Sequence, residues 1–164
     1  MILLAIDPGP TESAYCSYDT HAGLPLVWAK LPNEDLLREV DWRGCNGTDA
    51  LAVEMVASYG MAVGAEVFET CVWIGRFIQV WFEGGMIEDA YREARLVYRR
   101  EVKLALCGNS RAKDSNIRQA IIDRYGGKAG AIGKKKTPGP LYGITGDVWS
   151  ALAVAITAAE TEEL

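Results

Sequence analysis

Apolar residues recur along this chain in two rhythms. Near the start, MILLAID, SAYCSYD and PLVWAKL each read as a strand, parted by Pro-Gly-Pro and His-Ala-Gly-Leu-Pro turn signals. Strands joined so closely predict an antiparallel meander. NEDLLREV then changes to helical spacing, with Asn33 as its candidate cap. DALAVE reads as a strand again. From Met61 to Glu83 the pattern is helical: Val67, Cys71, Ile74, Ile78 and Trp81 recur at intervals of four and three, and Gly84-Gly85 stops the run. Phe68, Val72 and Trp73 widen the apolar arc, so this helix is either central or shared with another subunit. EARLVYR follows as a strand and RREVKLAL as a short helix. DSNIRQAIIDRYGG reads as a helix capped by Asp114 or Ser115. GKKKTPGPLYGITG reads as a mobile loop, and DVWSALAVAITAAETEEL as the closing helix. This order predicts an α/β fold, a mixed sheet with helices on its faces, in one domain over residues 1–164.

The pattern is broken in a telling way at three places. Asp7 ends the first strand, directly ahead of Pro8-Gly9. Glu54 ends ALAV. Asp147 follows Gly146 and opens the Ala-rich last helix. A lone buried carboxylate costs several kcal/mol, of the order of a few, unless it is paired, hydrogen-bonded or bound to metal. Each acid has a local explanation as a turn or helix cap. Taken together, three acids at the ends of core elements point to one edge of a sheet. Crowded carboxylates hold their protons, and a divalent cation relieves that. Oxygen-only donors favour Mg²⁺ or Mn²⁺, and two such ions about 4 Å apart can activate water at a phosphodiester.

Charge alters the picture further. The net charge is −5, which argues against a polyanionic partner until its distribution is seen. Residues 95–136 hold twelve Lys or Arg against three acids, a surplus of +9, while the remainder carries −14. One basic face on an acidic body is the footprint of a nucleic-acid binder. His21 is the only histidine and lies in a turn-like stretch, so a His-based zinc site or a Ser-His-Asp triad would have to be built on it. The four cysteines form no CxxC pair and read as free thiols. The apolar stretch from Gly60 to Phe82 contains Glu66, Glu69, Arg76 and Gln79, which argues against a membrane span. With no secretion leader in view, a cytoplasmic setting, in a bacterial cell or a phage-infected host, is expected.

AIDPG, LAVE, RREVKLALCGNSRAKDSNIRQAI and DVWSALAVAIT, in that order, resemble the motifs of RuvC-type Holliday junction resolvases. These belong to the ribonuclease H-like superfamily, and the resemblance is strongest to the bacteriophage branch. It implies a ribonuclease H-like, mixed five-stranded sheet flanked by helices. It implies a crossover junction endonuclease that cuts four-way junctions by paired phosphodiester hydrolysis. Asp7, Glu54 and Asp147 would then bind two Mg²⁺ ions, with Mn²⁺ as a substitute, and Asp7 would bridge them. Lys103 matches a family lysine near the scissile phosphate, and Lys113 lies within one residue of a second. Arg99, Arg100, Arg111, Lys134, Lys135 and Lys136 complete the expected DNA contacts. The resemblance also implies a homodimer packed through the helix at 61–83.

Two departures stand out. The family's last helix usually carries two metal-binding side chains three residues apart, and here the second position is Ser150. Asp114 is a candidate to support the second ion in its place. An aromatic residue that stacks on junction bases is replaced by Ala57, leaving Tyr59 as the nearby candidate. These departures keep a second reading open, a protein of the same fold that binds branched DNA with weak or no cleavage. A third, a sugar-kinase-like nucleotide binder, would need a second phosphate loop and a longer chain.

Overall fold

The computed structural model describes residues 1–58, 60, 62–84 and 92–161. Strands β1 (Ile2–Asp7), β2 (Glu12–Asp19) and β3 (Leu24–Pro32) form the expected antiparallel meander. Strand β4 (Ala50–Met55) pairs with β1 in parallel, and β5 (Glu93–Tyr98) pairs with β4 in parallel. The sheet order is β3-β2-β1-β4-β5, a mixed five-stranded sheet flanked by helices. Its two central strands are therefore those that end on Asp7 and carry Glu54.

Alternation along β1 sends side chains to two cores. Leu4 and Ile6 pack with Leu51, Val53, α1 (Asn33–Cys45) and α2 (Ala65–Glu83). Leu3 and Ala5 pack with Ala50, Ala52 and the closing helix α6 (Val148–Glu160) on the other face. Burial on both faces explains why β1 and β4 read as unbroken apolar runs rather than alternating ones. Small residues suit α6 to this place. Ala151, Ala153, Ala155 and Ala158 are buried and let its backbone lie close to the sheet.

Helices α3 (Arg99–Cys107), α4 (Asp114–Arg124) and α5 (Gly127–Ala131) precede a two-stranded hairpin, β6 (Gly133–Lys134) and β7 (Thr137–Pro138). This hairpin lies within the stretch read as a mobile loop and gives it regular structure. The loop is folded back on α5: Gly139 N–H donates to Ile132 O and Leu141 N–H to Ala131 O, and Leu141 and Ile144 are buried. Gly139 permits the approach, since a Cβ there would collide with the Gly130 and Ala131 carbonyls.

Two further expectations change. Helix α2 begins at Ala65 rather than Met61, after Gly64 in extended conformation, and Met61 lies outside the described residues. Its buried stripe is Thr70, Ile74, Phe77 and Trp81, so of the predicted stripe Ile74 and Trp81 are central while Val67, Cys71 and Ile78 flank. Asn33 does not cap α1. Its buried side chain is turned toward the loop after Asp7.

Candidate active site

Ile6 stands opposite Val53 in the parallel β1–β4 pair, so Asp7 and Glu54 are the next residues of adjacent strands. Both lie on the α6 side, continuing the rows Leu3-Ala5 and Ala50-Ala52. The loop that follows Asp7 is pinned by a small polar network. Gly9 N–H donates to Ser13 Oγ at 3.0 Å, Ser13 Oγ donates to Asn33 Oδ1 at 2.6 Å, and Asn33 Nδ2 donates to Gly9 O at 2.9 Å. Each buried polar atom of this ring has a partner, which holds the strand end rigidly. Gly9 itself is required, because a Cβ would lie 2.4 Å from Glu12 O.

The two carboxyls perturb each other's titration. Burial first, and then the charge of Glu54, push Asp7 from 3.8 up to about 7; Arg99 opposes this and Asp147 adds to it. Glu54 is also raised, chiefly by burial and against the pull of Arg99; Asp114 adds to the rise, and Asp7 and Lys103 oppose it. Arg99 lies inside the cluster, Nη1 3.4 Å from Glu54 Oε2 and Nη2 2.5 Å from Asp114 Oδ1. Arg99 thus stands as a counter-cation between the two acids.

Asp147 does not complete a triad. It sits at the start of α6 without a side-chain cap bond, and its Oδ2 lies 2.9 Å from Lys30 Nζ. Lys30 also stands 3.5 Å from Glu12 Oε2. Among the described residues no three acidic, His or Cys side chains close into a metal cage. Asp7 and Glu54 thus stand side by side, while the third carboxylate is paired with an ammonium group. Asp7 and Glu54 do fit a divalent cation. They are adjacent, desolvated oxygen donors, and a cation would relieve the crowding that raises their pKa values.

Three cavities meet at Arg99. One of 250 Å³ is lined by Asp7, Glu54, Ala57, Val63 and Val67. A second, of 370 Å³, is lined by Arg100, Lys103 and Ser110. The third, a 620 Å³ cleft between α4 and the start of α6, is lined by Arg118, Lys128, Asp147, Trp149 and Ser150. Lys103 lines the second cavity, and its charge lowers the Glu54 pKa. Ser150 shares the cleft wall with Asp147, as the helical spacing predicts. Arg111 and Lys113 are exposed in and beside the α3–α4 connection. Lys134, Lys135 and Lys136 are exposed on the β6–β7 hairpin. Tyr59 lies outside the described residues.

No family model matches the chain, and no curated protein matches it. Solved structures do match it, two RuvC structures among them. One is the Thermus thermophilus RuvC structure, 20% identical, covering 97% of this chain and 93% of that one with a TM-score of 0.62. The other is T. thermophilus RuvC in complex with Holliday junction substrate, 19% identical, covering 97% and 92% with a TM-score of 0.62. The chain has a RuvC-like fold. Within that RuvC-like frame, sequence reasoning missed Lys30, Arg118, Lys128 and Trp149. Arg118 lies over the Trp149 ring, 4.9 Å from its centroid. For Lys30 a signal existed: strand alternation puts it on the same face as Trp28, toward α6, where a charged residue is unexpected. No helix among the described residues is long and apolar enough to cross a membrane.

Proposed function

We propose that the chain is a divalent-metal-dependent endonuclease that resolves four-way DNA junctions, acting as a homodimer. The observation that carries this is the desolvated pair Asp7–Glu54 at adjacent strand ends, with Arg99 joining its cavity to clefts lined by Arg100, Lys103, Arg118 and Lys128. Likeness to a RuvC bound to Holliday junction substrate supports branched DNA as the partner.

Asp7 and Glu54 hold the ion, Mg²⁺ or Mn²⁺, and a bound ion supplies the positive charge that activates water and stabilises the phosphoryl transition state. Arg99 fixes Glu54 and links the acids to Asp114. Lys103, Arg118 and Lys128 bind phosphates of the cleaved strand and place the scissile bond. Arg100, Arg111, Lys113 and the hairpin lysines extend that contact outward. Ala57 and Val63 line the cavity of the acid pair, and Tyr59 is the residue assigned to stack on junction bases. The dimer forms through α2, whose face away from the sheet exposes Phe68, Val72 and Phe82. The phage branch remains the best match of the motifs, and a cytoplasmic setting suits a DNA substrate.

A second reading keeps junction binding without efficient cleavage. Ser150 in place of a carboxylate, and Asp147 bound by Lys30, favour it. One experiment separates the two. A labelled four-way junction is incubated with the chain and Mg²⁺ or Mn²⁺, with Asp7→Asn as control. Metal-dependent cuts in two opposed strands, absent in the control, support the nuclease. Binding without cuts in either metal supports the second reading.

A further inference from the structure

The cross-strand register places Lys30 in a particular relation to the acids. Asp7 pairs with Ala14 across β1–β2, and Ala14 pairs with Lys30 across β2–β3. Asp7, Ala14 and Lys30 thus form one row on the α6 face, with Glu54 following the Ile6–Val53 pair on the other side of Asp7. Ala14 is small and fully buried, so nothing bulky stands between the acid pair and the lysine. The Lys30 ammonium is held at 2.9 Å by Asp147 and at 3.5 Å by Glu12. Both side chains of the Lys30–Asp147 pair remain about half exposed, at 44% and 56%, so the ammonium faces solvent and a substrate can reach it.

From this geometry we propose that Lys30 is the second cation of the site: one divalent ion binds at Asp7 and Glu54, and the Lys30 ammonium, fixed by Asp147 and Glu12, takes the other place. The proposal rests on the nuclease reading above. It also accounts for Ser150. A second divalent ion needs a dense set of carboxylates, whereas an ammonium needs only Asp147 and Glu12. A fourth carboxylate at residue 150 has no task in such a site.

The chemistry balances without further components. A water oxygen forms a bond to phosphorus, and the bond from phosphorus to the leaving sugar oxygen breaks. The attacking water releases a proton to solvent, and the leaving oxygen takes one up to end as a hydroxyl. Lys30 remains an ammonium throughout; its neighbour Asp147 keeps it so. It donates hydrogen bonds to a phosphoryl oxygen as negative charge builds there, and that charge is stronger in the transition state than in the ground state.

Mn²⁺ titration of the full chain, followed by electron paramagnetic resonance and calorimetry, tests this apart from turnover. One Mn²⁺ per chain is expected, and two per wild-type chain would overturn the proposal. Lys30→Met should keep one ion with its dissociation constant within about twofold, yet slow junction cleavage by at least about a hundredfold, and Lys30→Arg should restore part of the rate. A Lys30→Met chain that cuts at the wild-type rate, with one ion or two, would overturn the assignment. Absence of any Mn²⁺ binding by the wild-type chain would instead overturn the metal-dependent nuclease reading itself. Unchanged circular dichroism and melting of Lys30→Met confirm that the loss is not one of folding.

Discussion

Asp7 shows how a single residue can trade stability for function. Its carboxyl ordinarily titrates near 3.8 and here does so at about 7, because burial and Glu54 both disfavour the anion. Below the ordinary value, folded and unfolded chains both carry the proton. Between 3.8 and about 7 the folded chain alone retains it, so stability falls as pH rises through that window and the loss is complete above it. The loss is on the order of a few kcal/mol. Metal-free protein in EDTA should therefore unfold at lower urea at pH 8 than at pH 5. Asp7→Asn should flatten that slope and be the more stable protein at pH 8. The same substitution should slow cleavage by more than about a hundredfold, since one donor to the activating cation is gone. Urea melts at both pH values and single-turnover cleavage check this; an Asp7→Asn chain no more stable than wild type at pH 8 would contradict the raised pKa of the buried Asp7 carboxyl. A second consequence follows for metal. The ion displaces a proton, so Mn²⁺ affinity should rise with pH until it levels off above about 7. Calorimetry in buffers of different ionisation heat measures the released proton.

At the scale of elements, α2 divides its surface in two. Thr70, Ile74, Phe77 and Trp81 face the sheet. Phe68, Val72, Gly75, Gln79 and Phe82 are exposed and recur at four and three, the spacing of a helix seam. Phe68 and Val72 are each 62% exposed, too much apolar surface for a helix that packs on one side only. A second copy of α2 is the occupant that the homodimer reading assigns to it. Gly75 sits mid-seam with open space around its Cβ position, which lets two helix backbones approach. Phe68→Asp and Val72→Asp should each leave the fold intact and weaken dimerisation at least tenfold, about 1.4 kcal/mol. Sedimentation velocity across a concentration series measures this, and a wild-type chain that stays monomeric at high concentration would remove α2 as an interface.

The elements also show what a sequence can disclose. Strands β1 and β4 and helix α6 were legible because burial on both faces, or on nearly all sides, leaves an apolar run with a sharp end. The acids at those ends were legible for the same reason. Helix α5 and the β6–β7 hairpin were not, since glycine reads as punctuation, while here Gly126, Gly127 and Gly133 adopt positive φ in a compact, tertiary-packed turn. Asn33 read as a cap because its type and position fit one. Its true partners, Ser13 and Gly9, come from another strand pair. The Lys30–Asp147 contact depends on a sheet edge and a helix start coming together, and no local pattern contains it.

For the whole molecule, the decisive feature is where the charge lies. The basic segment from Arg95 to Lys136 runs from β5 through the hairpin, and it lines the cleft beside Asp147 as well as the outer rim. These two places should respond differently. Lys134, Lys135 and Lys136 stand exposed on the hairpin, free to meet any phosphate backbone. Arg118 and Lys128 line the 620 Å³ cleft that runs beside Asp147 and reaches Arg99. Each phosphate contact steepens the fall of log affinity with log salt by roughly 0.9 for duplex DNA. Replacing the three hairpin lysines with Ala should therefore weaken binding to linear and branched DNA alike and flatten the slope by up to about 2.7. Cleavage at saturating protein should be unaffected, because these lysines are not at the acids. Arg118→Ala with Lys128→Ala should flatten the slope less, by up to about 1.8, and also slow cleavage when every junction is bound, since the cleaved strand is then held less firmly. Fluorescence anisotropy across a salt series, paired with single-turnover cleavage, resolves the two effects. If both sets of substitutions changed affinity alone, the cleft would be one more patch of basic surface and not the path of the cleaved strand.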